Sequence, residues 1–160
     1  MSTSTQNQIR PTWDVKKLQE AATKMVAHKI ASRLHFIDSR PGNEIEEMER
    51  SSAQLKARML KECGVKTPLD LVKHMAEFEV NVFNAEASVS GDENTAVLNN
   101  EKPTVWLEAK KMVQMSKEQE TKMHHHYKQW NEDLAEAFGF KAQVEISPDG
   151  NKSKITFSRK

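Results

Sequence analysis

The sequence predicts an α+β fold: about five helices packed on one face of a four-stranded antiparallel sheet made from two hairpins. Three observations carry this. Apolar residues recur at spacings of three and four through several segments that begin and end on capping residues. Two other segments, Ala85–Asn100 and Phe140–Phe157, alternate apolar and polar residues about a turn signal. A lone two-stranded hairpin is marginal in water, and merging two of them under a helical cover buries the apolar face of both.

The helices come first. Thr12 or Asp14 offers an N-cap, and Val15, Leu18, Ala22, Met25, Val26 and Ile30 share one face of a helix predicted over 13–37. It stops before Pro41-Gly42, which cannot continue it. Asn43 with Glu46 has capping-box spacing, and Ile45, Met48, Leu55 and Met59 form the second apolar stripe, interrupted by Ser52. Cys63-Gly64 closes that helix. Thr67-Pro68-Leu69-Asp70 opens the third with a cap, a first-turn proline and an acid at the positive dipole end. Leu69, Val72, Ala76 and Val80 carry it onward.

The period then changes to two. Ala85, Ala87 and Val89 alternate with polar residues, Gly91-Asp92-Glu93-Asn94 turns the chain, and a hairpin is predicted over 83–90 and 95–100. Phe78 to Val82 also alternates, so an earlier strand start is an alternative. Pro103-Thr104 opens a short fourth helix bearing Trp106, Ala109 and Val113. Ser116 with Gln119 caps a longer fifth, aligning Met123, Tyr127, Trp130, Leu134 and Phe138. Gly139 ends it. Phe140, Ala142, Val144 and Ile146 alternate next, Ser147-Pro148-Asp149-Gly150 turns, and Ser153, Ile155 and Phe157 return.

Composition narrows the function class. With 160 residues a single domain, expected over 12–160 behind a polar tail at 1–11, can bury a real core without a disulfide or metal. A net charge of +1 gives no electrostatic case for nucleic acid or an anionic membrane. No apolar run reaches the roughly 20 residues of a membrane span. Residues 1–11 lack the apolar middle of a secretory signal, and the one cysteine excludes a disulfide framework, so a reducing cytoplasm is the expected setting.

Candidate chemistry is sparse. His124-His125-His126 cannot ligate one ion together, because neighbours on a helix point about 100° apart. Only His126 is placed near the Met123/Trp130 stripe, and a solvated or half-buried trio is the simpler reading. No metal and no cofactor are expected. His28 and His35 share a face turned from the first helix's apolar centre and read as surface residues. His74 with Glu77 at i, i+3 lies beside an apolar stripe at the helix-to-strand change, so general-base chemistry is available to it. Its simpler reading is a satisfied, half-buried imidazole. Glu79 and Glu86 flank the same passage. Cys63, at the wrong end of a helix dipole for a thiolate, reads as a small hydrophobe. The Glu44, Glu46, Glu47 and Glu49 run reads as a solvated face, and the methionines read mostly as core filler.

The order of a hairpin (Ala85–Asn100), an Asn100–Trp106 segment (Asn-Glu-Lys-Pro-Thr-Val-Trp) opening a helix, and Phe138-Gly139-Phe140 entering a strand pair loosely resembles another group. This is the set of bacterial and archaeal proteins grouped with L-2-amino-thiazoline-4-carboxylic acid hydrolase, and the likeness spans residues 65–158. The resemblance implies hydrolysis of a small, polar, ring-containing substrate. The group's cysteines, near the segment equivalent to Lys102-Pro103 and near the fifth helix, have no counterpart here, so no residue role is transferred.

Two function classes follow. In one, a hydrolase or its degenerate relative has a pocket between helices and sheet, with His74 and Glu77 as the water-activating pair and Trp106, His126 and Trp130 as ligand contacts. In the other, a non-catalytic accessory protein joins a partner subunit or a second copy of itself.

Overall fold

The computed structural model describes residues 13–160; the tail expected at 1–11, and Thr12 as a cap, lie outside them. The order is α1 (Val15–Ser39), α2 (Gly42–Glu62), α3 (Pro68–Phe83), β1 (Glu86–Gly91), β2 (Thr95–Lys102), α4 (Thr104–Met112), α5 (Lys117–Phe138), β3 (Phe140–Ile146) and β4 (Ser153–Arg159). The strands form one antiparallel sheet in the order β1-β2-β4-β3. The two hairpins are therefore merged in one sheet, as the pattern predicts, and the joint is β2 with β4.

Local chemistry sets the boundaries. The Asp14 side chain accepts the Lys17 N–H at 2.8 Å and starts α1. Thr67 with Asp70, and Ser116 with Gln119, close reciprocal capping boxes on α3 and α5. The stretch Phe78–Val82 is helical, not strand. Asn84, in the left-handed region at φ 52°, ends α3 and releases the chain into β1 three residues later than predicted. Gly139, also left-handed, turns α5 directly into β3.

The register stacks the buried face into rows that cross the sheet. Val89 pairs with Leu98, Leu98 with Ile155, and Ile155 with Val144; one row over, Ala96 pairs with Phe157. Leu98, Ala96, Ile155 and Phe157 are essentially inaccessible. α3 packs on β1 and β2, and α5 packs on β3. The opposite face carries exposed residues such as Lys141, Gln143, Glu145 and Lys154, with Lys154 and Glu145 ion-paired at 3.1 Å.

Two helices leave several large apolar residues of their predicted faces exposed. In α2 the buried residues are Ile45, Glu49, Ala53, Ala57 and Leu60, while Met48, Leu55 and Met59 are exposed. Ala53 and Ala57 leave room for the close packing of α2 on α5, and Glu49 is acceptable inside because Arg33 of α1 pairs with it. The Glu49 carboxylate is thus not part of a solvated run. In α1, Val15, Leu18 and Met25 are exposed, whereas Ala22, Val26 and Ile30 of the predicted face pack half-buried with Ala27, and Leu34 and Ile37 are buried further along. Cys63 is an exposed residue at the end of α2, not a buried hydrophobe.

The fused core predicts a sharp asymmetry between faces. Leu98→Ala or Ile155→Ala should each lower unfolding free energy by roughly 2–5 kcal/mol in urea denaturation, whereas Gln143→Ala on the outer face should change it by about 0.5 kcal/mol or less. Equal losses on both faces would contradict the packing described.

Candidate functional site

Moving one row along the joint, the buried face changes character. Beyond Leu98 and Ile155 the next paired residues are Asn100 and Ser153, and Ser153 pairs in turn with Ile146. These three form the floor of a cavity of about 420 Å³. Its walls are Ile30, Arg33 and Ile37 of α1, Glu49 of α2, Glu79 of α3, Val105 and Trp106 of α4, and Met123, His124, His126, Tyr127 and Trp130 of α5. One end is closed by Gly150, Asn151 and Lys152 of the β3–β4 turn. Apolar and aromatic side chains dominate, with a few polar groups converging, which is the usual make-up of a small-molecule site.

The floor is a small hydrogen-bonded cluster. Asn100 Nδ2 donates to Ser153 Oγ at 3.1 Å and to the Tyr127 hydroxyl at 3.4 Å, and the two hydroxyls lie 3.3 Å apart. Tyr127 has its body in the cavity wall, and burial pushes its phenol above the ordinary value despite the Ser153 hydrogen bond. Glu79 stands near it. Burial pushes the Glu79 carboxyl up from its usual 4.5, with Lys56 opposing. Among the described residues its side chain makes no hydrogen bond or ion pair shorter than 4 Å.

The closed end is locked by specific contacts. Trp106 Nε1 donates to the Gly150 carbonyl at 2.8 Å, and Lys110 Nζ donates to Glu120 at 2.6 Å and to Asn151 at 3.1 Å. Gly150 has φ +70°, and a Cβ there would lie 2.7 Å from Glu120 Oε1 and 2.9 Å from His124 Cε1. A side chain at this position would be strained by the backbone and would have to displace the Glu120 and His124 side chains. Trp106 and His124 rings meet at 5.5 Å. At the other side the Arg33–Glu49 ion pair ties α1 to α2, and His126 lies within its field.

The structure brings Trp106, His126 and Trp130 together around the cavity. His74 is half-buried and Glu77 exposed, and neither is among the lining residues. His28 and His35 are exposed. His124 lines the cavity as well as His126, because the Met123/Tyr127/Trp130 stripe faces inward and leaves the two imidazoles on its flanks. Asn100, Ser153, Tyr127 and Glu79 were not among the predicted contacts. A signal for the first two exists: both are polar residues on the apolar face of otherwise alternating strands. Among the described residues no group of three or more His, Cys, Asp or Glu is arranged to hold a metal ion.

His124 Nε2 and His126 Nδ1 are buried without a hydrogen-bond partner. Burial holds both imidazoles below their usual 6.5, with Glu120 and Glu49 respectively acting in the opposite direction. The sign follows from proton uptake: the unfolded chain protonates first, so stability is complete above about pH 6.5 and is lost as pH falls below it. The raised Glu79 carboxyl works the other way as pH falls toward 4.5. The wild-type melting temperature should therefore fall further between about pH 7 and pH 5 than that of the His124→Gln/His126→Gln variant, in which Glu79 is unchanged. Parallel falls in the two proteins would contradict the burial of these imidazoles.

No family model matches this chain, and no curated protein does. Among solved structures, it is similar to a trafficking protein particle complex subunit 3 from Naegleria fowleri, whose crystal structure is of the protein covalently bound to palmitic acid. That match has a TM-score of 0.58 at 11% identity and covers 88% of this chain and 96% of that one. An Fe(II) unliganded H-NOX protein mutant from K. algicida matches at a TM-score of 0.34 and 11% identity, over 94% and 75% of the two chains, too low to speak to the fold. At this identity the first likeness establishes a shared fold.

Proposed function

We propose that this protein is a non-catalytic, small-molecule-binding subunit that holds a ligand with an apolar body in the cavity between α1, α5 and the β2–β4 joint. The cavity itself carries the reading: about 420 Å³, walled in large part by Ile30, Ile37, Val105, Met123 and two tryptophans, with a hydrogen-bonded polar cluster on its floor. That volume lies in the range of roughly 300–1,000 Å³ typical of ligand pockets. The fold likeness to a complex subunit bound to palmitic acid supports both halves of the reading, the guest and the assembly. The chain's one cysteine, Cys63, lies outside the lining, so a guest here is held without a bond to a thiol. Large apolar side chains that a subunit would cover in a complex, among them Leu18, Met25 and Leu55, stand exposed. A hydrolytic reading has less behind it, since the water-activating pair expected from sequence, His74 and Glu77, stands away from this space.

Trp106 and Trp130 make binding visible. Titration with straight-chain alcohols of increasing length should change tryptophan emission, with affinity rising by roughly 0.8 kcal/mol, or about fourfold, per methylene until the cavity is full. The Trp106→Phe/Trp130→Phe variant, which keeps Trp13, should lose the emission change. An affinity independent of chain length, or no emission change at any length, would overturn the proposal.

A further inference from the structure

Resting on that reading of the cavity, we infer that its ligand carries a head group that donates a hydrogen bond and bears no negative charge, an alcohol, amide or amine, and that Glu79 and the Asn100–Tyr127–Ser153 cluster receive it.

Among the described residues, both Arg/Lys cations of the lining are already committed. Arg33 is ion-paired with buried Glu49, and Lys152 with Glu101 at 2.9 Å. Lys110, just behind the wall, is held by Glu120 and Asn151. The two imidazoles are neutral at ordinary pH, because burial disfavours their charged form. The remaining charged group in the lining is an acid. Glu79 has no ion-pair partner among the described residues, and Lys56, which acts on it from a distance, has its ammonium 5.2 Å from the centre of the Phe78 ring. A carboxylate entering this space would meet an unpaired carboxyl group and, among the described residues, no uncommitted cation, so only neutral donors would offset its lost hydration.

The floor accounts for the hydrogen-bonding half. Asn100 uses its amide nitrogen on both hydroxyl oxygens, and the Tyr127–Ser153 contact consumes one of the two hydroxyl protons. One hydroxyl proton is left without an acceptor within the cluster, and the Glu79 carboxyl, which lines the same cavity and acts on Tyr127 through its charge, lacks a donor among the described residues. Together they complement a group that donates to Glu79 and accepts from the hydroxyl. An alcohol or amide does both, and an ammonium satisfies the carboxylate form of Glu79 outright.

Three ligands with the same ten-carbon chain separate the possibilities: 1-decanol, decylamine and decanoate, titrated by tryptophan emission at about pH 8, where decanoate is ionised. The alcohol and the amine should each bind at least about tenfold more tightly than decanoate. In Glu79→Gln, shown to be folded by its melting curve, the gap between decylamine and decanoate should narrow to about threefold or less. Decanoate binding as tightly as the other two, or a gap untouched by Glu79→Gln, would overturn the head-group assignment while leaving the cavity as a ligand site. Binding of none of the three would overturn the cavity reading and the assignment with it. Should Glu79→Gln fail to fold, the three-ligand comparison on the wild-type protein decides the matter.

Discussion

The pairing of β2 with β4 is the constraint from which the rest follows. Each hairpin alone has one apolar face and too little of it to stand in water. Joined through Leu98↔Ile155 and Ala96↔Phe157, the two faces become a single surface wide enough for α3 and α5 to cover. The same register brings Asn100 opposite Ser153. A shift of one residue would put the Leu98 and Ile155 side chains on opposite faces of the sheet and dismantle the polar floor together with the core. Stability and site geometry thus depend on one ladder of hydrogen bonds.

Where the row of large apolar pairs ends, the helices no longer close down on the sheet. α1 and α4 pack together, α2 packs on α5, and the cavity lies among them over Asn100 and Ser153. Arg33 and Glu49 join α1 to α2 across its wall, and Asp38 accepts the Gln119 amide at 2.8 Å, tying the end of α1 to the start of α5. Such contacts fix the spacing of helices that have no continuous apolar interface to hold them. The α2–α5 side contains buried Asn131 and Asp133, each with one oxygen lacking a partner, so part of this packing is held by polar residues at some cost.

Much of the architecture was legible in the sequence, because caps, turns and period are local signals. Thr67–Asp70, Ser116–Gln119, Gly139 and the Pro148–Gly150 turn each act within a few residues, and the structure uses them all. Which face a helix buries was less legible. In α2 the large residues Met48, Leu55 and Met59 point outward and two alanines point inward, since close helix packing selects for small size as well as apolar character. The site was legible in part. Trp106, His126 and Trp130 surround the cavity, but Asn100, Ser153, Tyr127 and Glu79 come from four different elements. Their meeting depends on the β2–β4 register, a long-range fact that no local pattern encodes. His74 and Glu77 drew notice for their spacing on one helix, and spacing alone does not say what lies opposite.

The most direct test of this account is a crystal structure of the protein with a bound alkyl ligand. It predicts the chain of the ligand lying among Ile30, Ile37, Met123 and Trp130, with its polar end within hydrogen-bond reach of Asn100, Tyr127 or Ser153. Ligand density on the outer helix surfaces, or side chains filling the space above the Asn100–Ser153 pair, would contradict it.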